Sequence, residues 1–227
     1  GKYISGEKLS RKIGVTRTSV WKNIKKLKEE GYIIESSTNK SYTLIESPDV
    51  LYPNEIKGLI STKLIGREII FLESVDSTNN YAKKMAEEKF EDGTVIIAEE
   101  QTNGRGRLGR EWISPKGKGI WMTIMLKPCI KPEQAAQITL IAAFAVAKGI
   151  KNICQIDTVI KWPNDIVING KKVCGILTEM GAEIDRINYL IVGIGINANT
   201  DEMDFLNSGL NIATSLKIGR ASCRERV

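Results

Sequence analysis

The 227-residue chain contains no histidine. That absence removes Ser-His-Asp and Cys-His catalysis, imidazole acid–base work and histidine-ligated zinc together. Any chemistry must run on lysine, arginine, carboxylates, amides, backbone N–H groups or an ion borrowed with a substrate. Cysteine is scarce: Cys129, Cys154, Cys174 and Cys223 form no Cys-x-x-Cys pair. This excludes a disulfide scaffold and makes a reducing cytoplasm the expected location. Long hydrophobic runs are lacking as well. The longest apolar-rich stretch, Ala135 to Ile150, is interrupted by Gln137, Thr139 and Lys148, so it reads as too short and too polar to span a membrane. No segment has the basic, apolar and cleavage-site order of a signal peptide.

What is present is the composition of an ordinary soluble globular protein, 42% apolar and 26% charged, long enough for one to two domains with a real core. The net charge of +6 is uneven. Residues 1–46 hold ten basic and five acidic side chains, residues 217–227 hold four and one, and the stretch between them is slightly acidic. A basic first segment is the footprint of a small nucleic-acid-binding module. The last ten residues, Ile218 to Val227, resemble an in-frame translation of a sequencing adapter, so they are set aside as a non-native tail. The alternative is a genuine basic terminus.

In the first segment, Ser5 is suited to cap a short helix that carries Leu9 and Ile13 on one face and stops at Gly14. Thr16 is suited to cap a second helix, whose Val20, Ile24 and Leu27 form an apolar stripe before Gly31. Thr18, Lys22 and Lys25 point away from that stripe, with Lys26 close by. Tyr32–Glu35 and Ser41–Leu44, flanking a turn-rich Ser36–Lys40, read as a β-hairpin. Together these describe a winged helix-turn-helix over residues 1–46, with a first helix expected before Tyr3. DNA contacts are expected from Arg17, Thr18, Lys22, Lys25 and Lys26, and from Lys40 on the wing. The bland alternative is a helical hairpin whose lysines only solvate a surface. Glu46 to Pro53, with two prolines, places a linker at 47–53.

The second domain, 54–217, reads as strands at Glu68–Leu72, Thr94–Ala98, Gly119–Met125, Thr158–Trp162, Asp165–Ile168, Lys172–Thr178 and Asn188–Ile196. A helix opens at Asp76–Asn79, and Pro132–Lys148 reads as a buried, alanine-rich helix. Asn169-Gly170 is the strongest hairpin signal. The fold class is α+β, a mixed, largely antiparallel sheet with helices on one side. Between two strands lies Gly104-Arg-Gly-Arg-Leu-Gly-Arg110. Its glycines let backbone approach a ligand and its arginines supply forks for phosphate or carboxylate. It is neither a P-loop nor a Rossmann turn, and Gly/Arg repeats are also an RNA-binding composition. A second cluster, Lys161-Trp-Pro-Asn-Asp165, ends an apolar strand at a proline turn.

Taken in order, Asp76-Ser-Thr-Asn79, Gln101-Thr-Asn-Gly-Arg-Gly-Arg-Leu-Gly-Arg110 with Trp112, Lys161-Trp-Pro-Asn-Asp165, Gly175-Ile-Leu-Thr-Glu179 and Gly193-Ile-Gly-Ile-Asn197 resemble the motif set of biotin protein ligases. The winged helix in front is similar to the bifunctional subgroup that represses the biotin biosynthetic operon. The resemblance covers about residues 3 to 217. It implies a class II synthetase-like catalytic domain, truncated after about Lys217, and a missing C-terminal SH3-like domain. It also implies a two-step reaction. Biotin and ATP, with Mg²⁺, give biotinyl-5′-AMP, and a lysine of the biotin carboxyl carrier protein then displaces AMP. Neither step needs histidine.

The resemblance further implies that Ser77, Thr78, Asn79 and Gln101 line the biotin site. Gly104, Arg105, Gly106 and Arg107 would close over biotin and its adenylate, with Arg110 near the phosphates. Trp112 would support the adenylate side, Gly193 to Asn197 would pack a strand close to the ligand, and Gly175 would belong to the same biotin and adenylate site. Lys161 would sit between the biotin carboxylate and the α-phosphate, making Lys161, Arg105 and Arg107 the catalytic set. No protein-ligated metal is expected. The implied partners are operator DNA, the carrier protein and a second copy of the chain once adenylate is bound, with no membrane. Two other readings stay open: a biotin-sensing regulator without ligase activity, and a lipoate or octanoyl attachment enzyme.

Overall fold

The computed structural model describes residues 3–37 and 41–219 and divides into two compact units, Gly1–Val50 and Leu51–Val227. In the first, β1 (Ile4–Ser5) leads into α1 (Gly6–Ile13) and α2 (Arg17–Glu29), followed by β2 (Ile33–Ser36) and β3 (Ser41–Glu46). Both helix starts are capped as the sequence requires: Ser5 Oγ accepts from the Lys8 N–H and Thr16 Oγ1 from the Ser19 N–H, each at 3.2 Å. Gly14 ends α1 in the left-handed region at φ 67°. Val20, Tyr32 and Ile34 form the buried centre of the unit. The hairpin gains a strand the sequence reading lacks, because β1 adds to β3 in the order β1-β3-β2. Two residues are too few to register as a periodic pattern. Lys40 and Cys223 lie outside the described residues, as does all of the set-aside tail except Ile218 and Gly219.

The second unit opens with α3 (Pro53–Leu59), which starts on the last residue of the expected linker and for which the sequence reading named no element. It continues with β4 (Ile69–Leu72), α4 (Thr78–Ala86), β5 (Thr94–Ala98), β6 (Gly119–Leu126) and α5 (Ala135–Cys154). After these come β7 (Val159–Lys161), β8 (Asp165–Ile168), β9 (Lys171–Ala182), β10 (Ile187–Asn197) and α6 (Glu202–Asn207). The seven strands form one sheet in the order β4-β5-β6-β10-β9-β8-β7, with β4 and β5 parallel and every other pair antiparallel. The β8–β9 hairpin turns on Asn169 and Gly170, at φ 50° and 80°, the double positive φ of a type I′ turn.

Helices cover both faces of this sheet, not one. Successive strand residues point to opposite faces. On β10, Leu190, Val192, Ile194 and Ile196 pack with Ala143 and Ile150 of α5, whereas Ile191 packs with Ala82 of α4, Ile96 and Met125. Leu51 and Ile56 sit on the α5 side, against Ile69, Val95 and Ile97. Each fully buried Ile, Leu or Val contributes roughly 1.5–3 kcal/mol, so the central strands, apolar on both faces, anchor the unit. The sequence reading of α5 as buried holds for one face only: Ile141 and Phe144 are 60% and 63% exposed. By length and composition alone the helix Pro132–Cys154 meets the threshold for a membrane span, a threshold that a core helix also meets, and its other face packs into the core through Ala143 and Ile150.

Candidate functional site

The α4 face carries the site, starting where that helix begins. Ser77 caps α4 by accepting from the Asn80 N–H at 3.5 Å. The Asp76 carboxyl sits below the usual carboxylate range because the Asn80 side chain donates to it at 3.0 Å. Thr78 and Asn79 are buried in the first turn. Gln101, after β5, accepts from Thr78 N–H at 2.9 Å and Thr78 Oγ1 at 3.0 Å, and donates to Ser114 Oγ at 2.8 Å. Asn79 gives its two N–H bonds to Leu177 O at 3.2 Å and Glu179 Oε2 at 2.9 Å. Its Oδ1 lies 2.7 Å from Thr123 Oγ1 on β6. The approach of Asn79 to β10 requires a glycine, because a methyl group on Gly193 would fall 2.2 Å from Asn79 Oδ1.

The glycine-arginine loop folds over this floor. Gly106 N–H bonds back to Arg110 O at 2.7 Å, a 3-10 turn forms at Arg107–Gly109, and Trp112 N–H reaches Gly104 O at 2.9 Å. Gly104 has no room for a side chain, since a Cβ would sit 2.2 Å from Trp112 O. Two of the three arginines are held by other side chains. Arg105 donates to Asn80 Oδ1 at 2.7 Å and Glu179 Oε1 at 3.2 Å, and Arg107 to Asn164 Oδ1 at 3.0 Å. Arg110 is exposed.

Two clefts result. A narrow one of about 440 Å³ is floored by Ser77, Thr78, Asn79, Gln101, Gly175 and Gly193 and roofed by Arg105, Gly106 and Arg107. A wide one of about 1500 Å³ runs along Arg110, Trp112, Lys161, Asn164, Asn197 and Phe205. Gly106, Arg107, Trp112, Asn164 and Lys172 line both and so form the junction. Trp112 stands over Gly175 and Gly195, where Cβ atoms would come within 3.0 and 2.4 Å of its ring. Its Nε1 is buried without a hydrogen-bond partner.

The sequence-derived residues therefore separate. Ser77, Thr78, Asn79, Gln101, Arg105, Gly175 and Gly193 belong to the narrow cleft, Gly106, Arg107 and Trp112 to the junction, and Arg110, Lys161 and Asn197 to the wide cleft. Gly104 supports the loop without lining either. Lys161 is exposed at the end of β7 and lines the wide cleft but not the narrow one. The lysine at the junction is Lys172: its Nζ is 2.7 Å from Asp165 Oδ1 and 5.0 Å from the Trp112 ring centroid. Asn197 donates to Thr214 O at 3.1 Å, holding the wall rather than facing the opening with a free amide.

Sequence reasoning missed Lys172, Thr123 and a role for Glu179. Lys172 follows the hairpin turn beside Lys171 and reads as one of two solvated lysines. The register that pairs Asp165 with Gly175 is the signal that brings it to the site. Burial tends to raise the Glu179 carboxyl, but hydrogen bonds from Lys83 and Asn79 and the charges of Lys83 and Arg105 outweigh it and hold the group low.

On the first unit, Arg17, Thr18, Lys22, Lys25 and Lys26 are all exposed along α2. Lys25 and Lys26 are loosely paired with Glu29 and Glu30, at 3.8 and 3.6 Å, pairs that exchange easily for phosphates. Trp21, 56% exposed on the same helix, carries no signal in the sequence that separates it from the apolar stripe.

Residues 71–197 match the Biotin/lipoate A/B protein ligase family and residues 1–43 match an HTH domain. The chain is 45% identical over 99% of its length to the bifunctional ligase/repressor BirA of Bacillus spizizenii, spanning 71% of that protein. It is 30% identical over 87% of its length to BirA of Escherichia coli, spanning 60% of it. Among solved structures, it resembles the biotin protein ligase of Aquifex aeolicus in complex with biotin and ATP (TM-score 0.55, 34% identity, 67% of this chain and 61% of that one). It also resembles the Leishmania major ligase in complex with biotinyl-5-AMP (TM-score 0.57, 30% identity, 69% and 66%).

Proposed function

Because the chain belongs to the biotin/lipoate A/B protein ligase family, we propose that it activates biotin with ATP, transfers it to a carrier-protein lysine and represses transcription through its helix-turn-helix. The observation that carries this reading is the pair of clefts sharing one cationic wall. A small polar pocket beside a larger one, joined at Arg107 and Lys172, suits a carboxylate attacking a phosphate. Biotin occupies the narrow cleft, its polar head met by Ser77, Thr78, Asn79 and Gln101. Its carboxylate reaches the junction, where Lys172 and Arg107 lower the charge repulsion between carboxylate and α-phosphate and stabilise the charge that builds up as they react. Trp112 and Arg110 support the nucleotide in the wide cleft.

The carboxylate oxygen bonds to the α-phosphorus as pyrophosphate leaves. The acceptor amine of a biotin carboxyl carrier protein then attacks the mixed anhydride at its carbonyl carbon and AMP departs. Magnesium enters with the ATP phosphates and is held chiefly by them and by water, with Asp165 and Asp204 lining the same cleft. The exposed cations of α2 bind operator DNA, and the adenylate-bound form pairs with a second copy to span two half-sites. A cytoplasmic location accords with the unpaired cysteines Cys129, Cys154 and Cys174. Biotin-dependent exchange between ATP and pyrophosphate tests the reading: exchange is expected, and none at saturating biotin overturns it.

A further inference from the structure

Three parts of the site meet at Glu179. It stands on β9 with its side chain 18% exposed; Oε1 accepts from Lys83 Nζ at 2.6 Å and Arg105 Nη2 at 3.2 Å, and Oε2 from Asn79 Nδ2 at 2.9 Å. Lys83 belongs to α4, Arg105 to the glycine-arginine loop and Asn79 to the floor of the narrow cleft. A carboxylate only accepts, so it dictates which way the Asn79 amide is turned. With both N–H bonds given to Glu179 and Leu177 O, Oδ1 faces Gly193 and Thr123. The single Thr123 proton goes to that oxygen, which has none to give. The Thr78 hydroxyl, 2.8 Å from Thr123 Oγ1, donates to Gln101 Oε1 at 3.0 Å. The polarity of the floor thus propagates from one partly buried anion. The same anion pins the first loop arginine against α4, where Asn80 takes the other guanidinium nitrogen at 2.7 Å. Charge-assisted bonds of this kind are roughly twice as strong as neutral ones.

We infer that Glu179 is a positioning residue that latches the Gly104–Arg110 loop to α4 and sets the hydrogen-bond polarity of the narrow cleft, and so governs affinity for the small acid bound there; this rests on reading that cleft as the biotin site. Glu179→Gln keeps the shape and removes the charge. In the full chain it is expected to weaken biotin binding, measured calorimetrically, by about tenfold to a hundredfold. In pyrophosphate exchange the KM for biotin rises while kcat changes little. Native trypsin cuts after the loop arginines several-fold faster, and Glu179→Asp restores part of each effect. Wild-type affinity together with a wild-type cleavage rate in Glu179→Gln overturns the inference. A wild-type chain that fails to bind biotin defeats the ligase reading alone, and the cleavage rate still decides whether Glu179 holds the loop. Should Glu179→Gln not fold, Arg105→Gln breaks the same pair from the exposed loop. Cleavage after Arg107 and Arg110 must then accelerate, and an unchanged rate overturns the latch.

Discussion

The sharpest test separates two lysines. Lys172 lies at the junction of the clefts, its side chain 29% exposed and its Nζ 2.7 Å from Asp165, whereas Lys161 is exposed on the edge strand β7. A unit charge about 4 Å from a charge developing in the transition state is worth roughly 4 kcal/mol at an effective dielectric constant of about 20. Asp165 offsets part of that, and measured losses for single transition-state donors run at about 2.7–4 kcal/mol. Lys172→Gln should therefore lower kcat/KM for biotin-dependent pyrophosphate exchange by about 10²–10³. Lys161→Gln, removing a screened surface charge, should lower it by no more than about fivefold. Biotin affinity measured without ATP should fall much less than exchange in Lys172→Gln, because the charge acts on the reacting groups more than on the bound acid. A Lys172→Gln variant within tenfold of wild type refutes the assignment. So does a Lys161→Gln variant that loses as much as Lys172→Gln, and that result would return the catalytic role to the strand end.

Three further outcomes are expected. Gly193→Ala forces a methyl group to 2.2 Å from Asn79 Oδ1, a clash that should cost about 1–3 kcal/mol and appear as a lower urea midpoint with loss of biotin binding; a variant as stable and as tight-binding as wild type would show that Asn79 has another seat. Lys22→Ala and Lys25→Ala should each weaken duplex DNA binding and make log K fall less steeply with log salt, by about 0.9 for each phosphate left unneutralised, and an unchanged slope would make α2 a solvated surface. Glu179 has a folded-state pKa below its ordinary value of 4.5. Its ionised form therefore adds stability that is present above that value and lost as pH falls through the lower folded value. The gap in urea midpoint between wild type and Glu179→Gln should be open at pH 7 and close below the carboxylate range; a gap independent of pH would mean that the charge contributes nothing.

The elements were legible where a local rule has no competitor. Ser5, Thr16 and Ser77 cap their helices because a short side-chain oxygen is followed by free N–H groups, and Asn169-Gly170 can scarcely do anything but turn. What escaped was set by pairing across the sheet. The two faces of β10 cannot be assigned to helices from sequence, because Leu190 to Ile196 is apolar on both, broken only by glycines that the site itself requires. The same glycines were legible as motif members, but not as the seats of Asn79 and Trp112.

The two lysines show how a motif and a fold can point to different side chains of one region. Lys161 stands inside the conspicuous Lys-Trp-Pro-Asn-Asp run, and its register partner across the turn is Asp165. β7 is the edge strand of the sheet, and Lys161 at its end is exposed and lines the wide cleft. Lys172 is carried by β9, two strands further in, where it is the register partner of Val167, and its Nζ reaches Asp165 Oδ1 at 2.7 Å. Asp165 is thus the backbone register partner of one lysine and the ion-pair partner of the other. In a protein without histidine, a cation held partly out of solvent between two clefts is the better placed to act on charge in a transition state; Lys172, with its side chain 29% exposed, meets that condition, and the exchange assay on the two variants decides between it and Lys161.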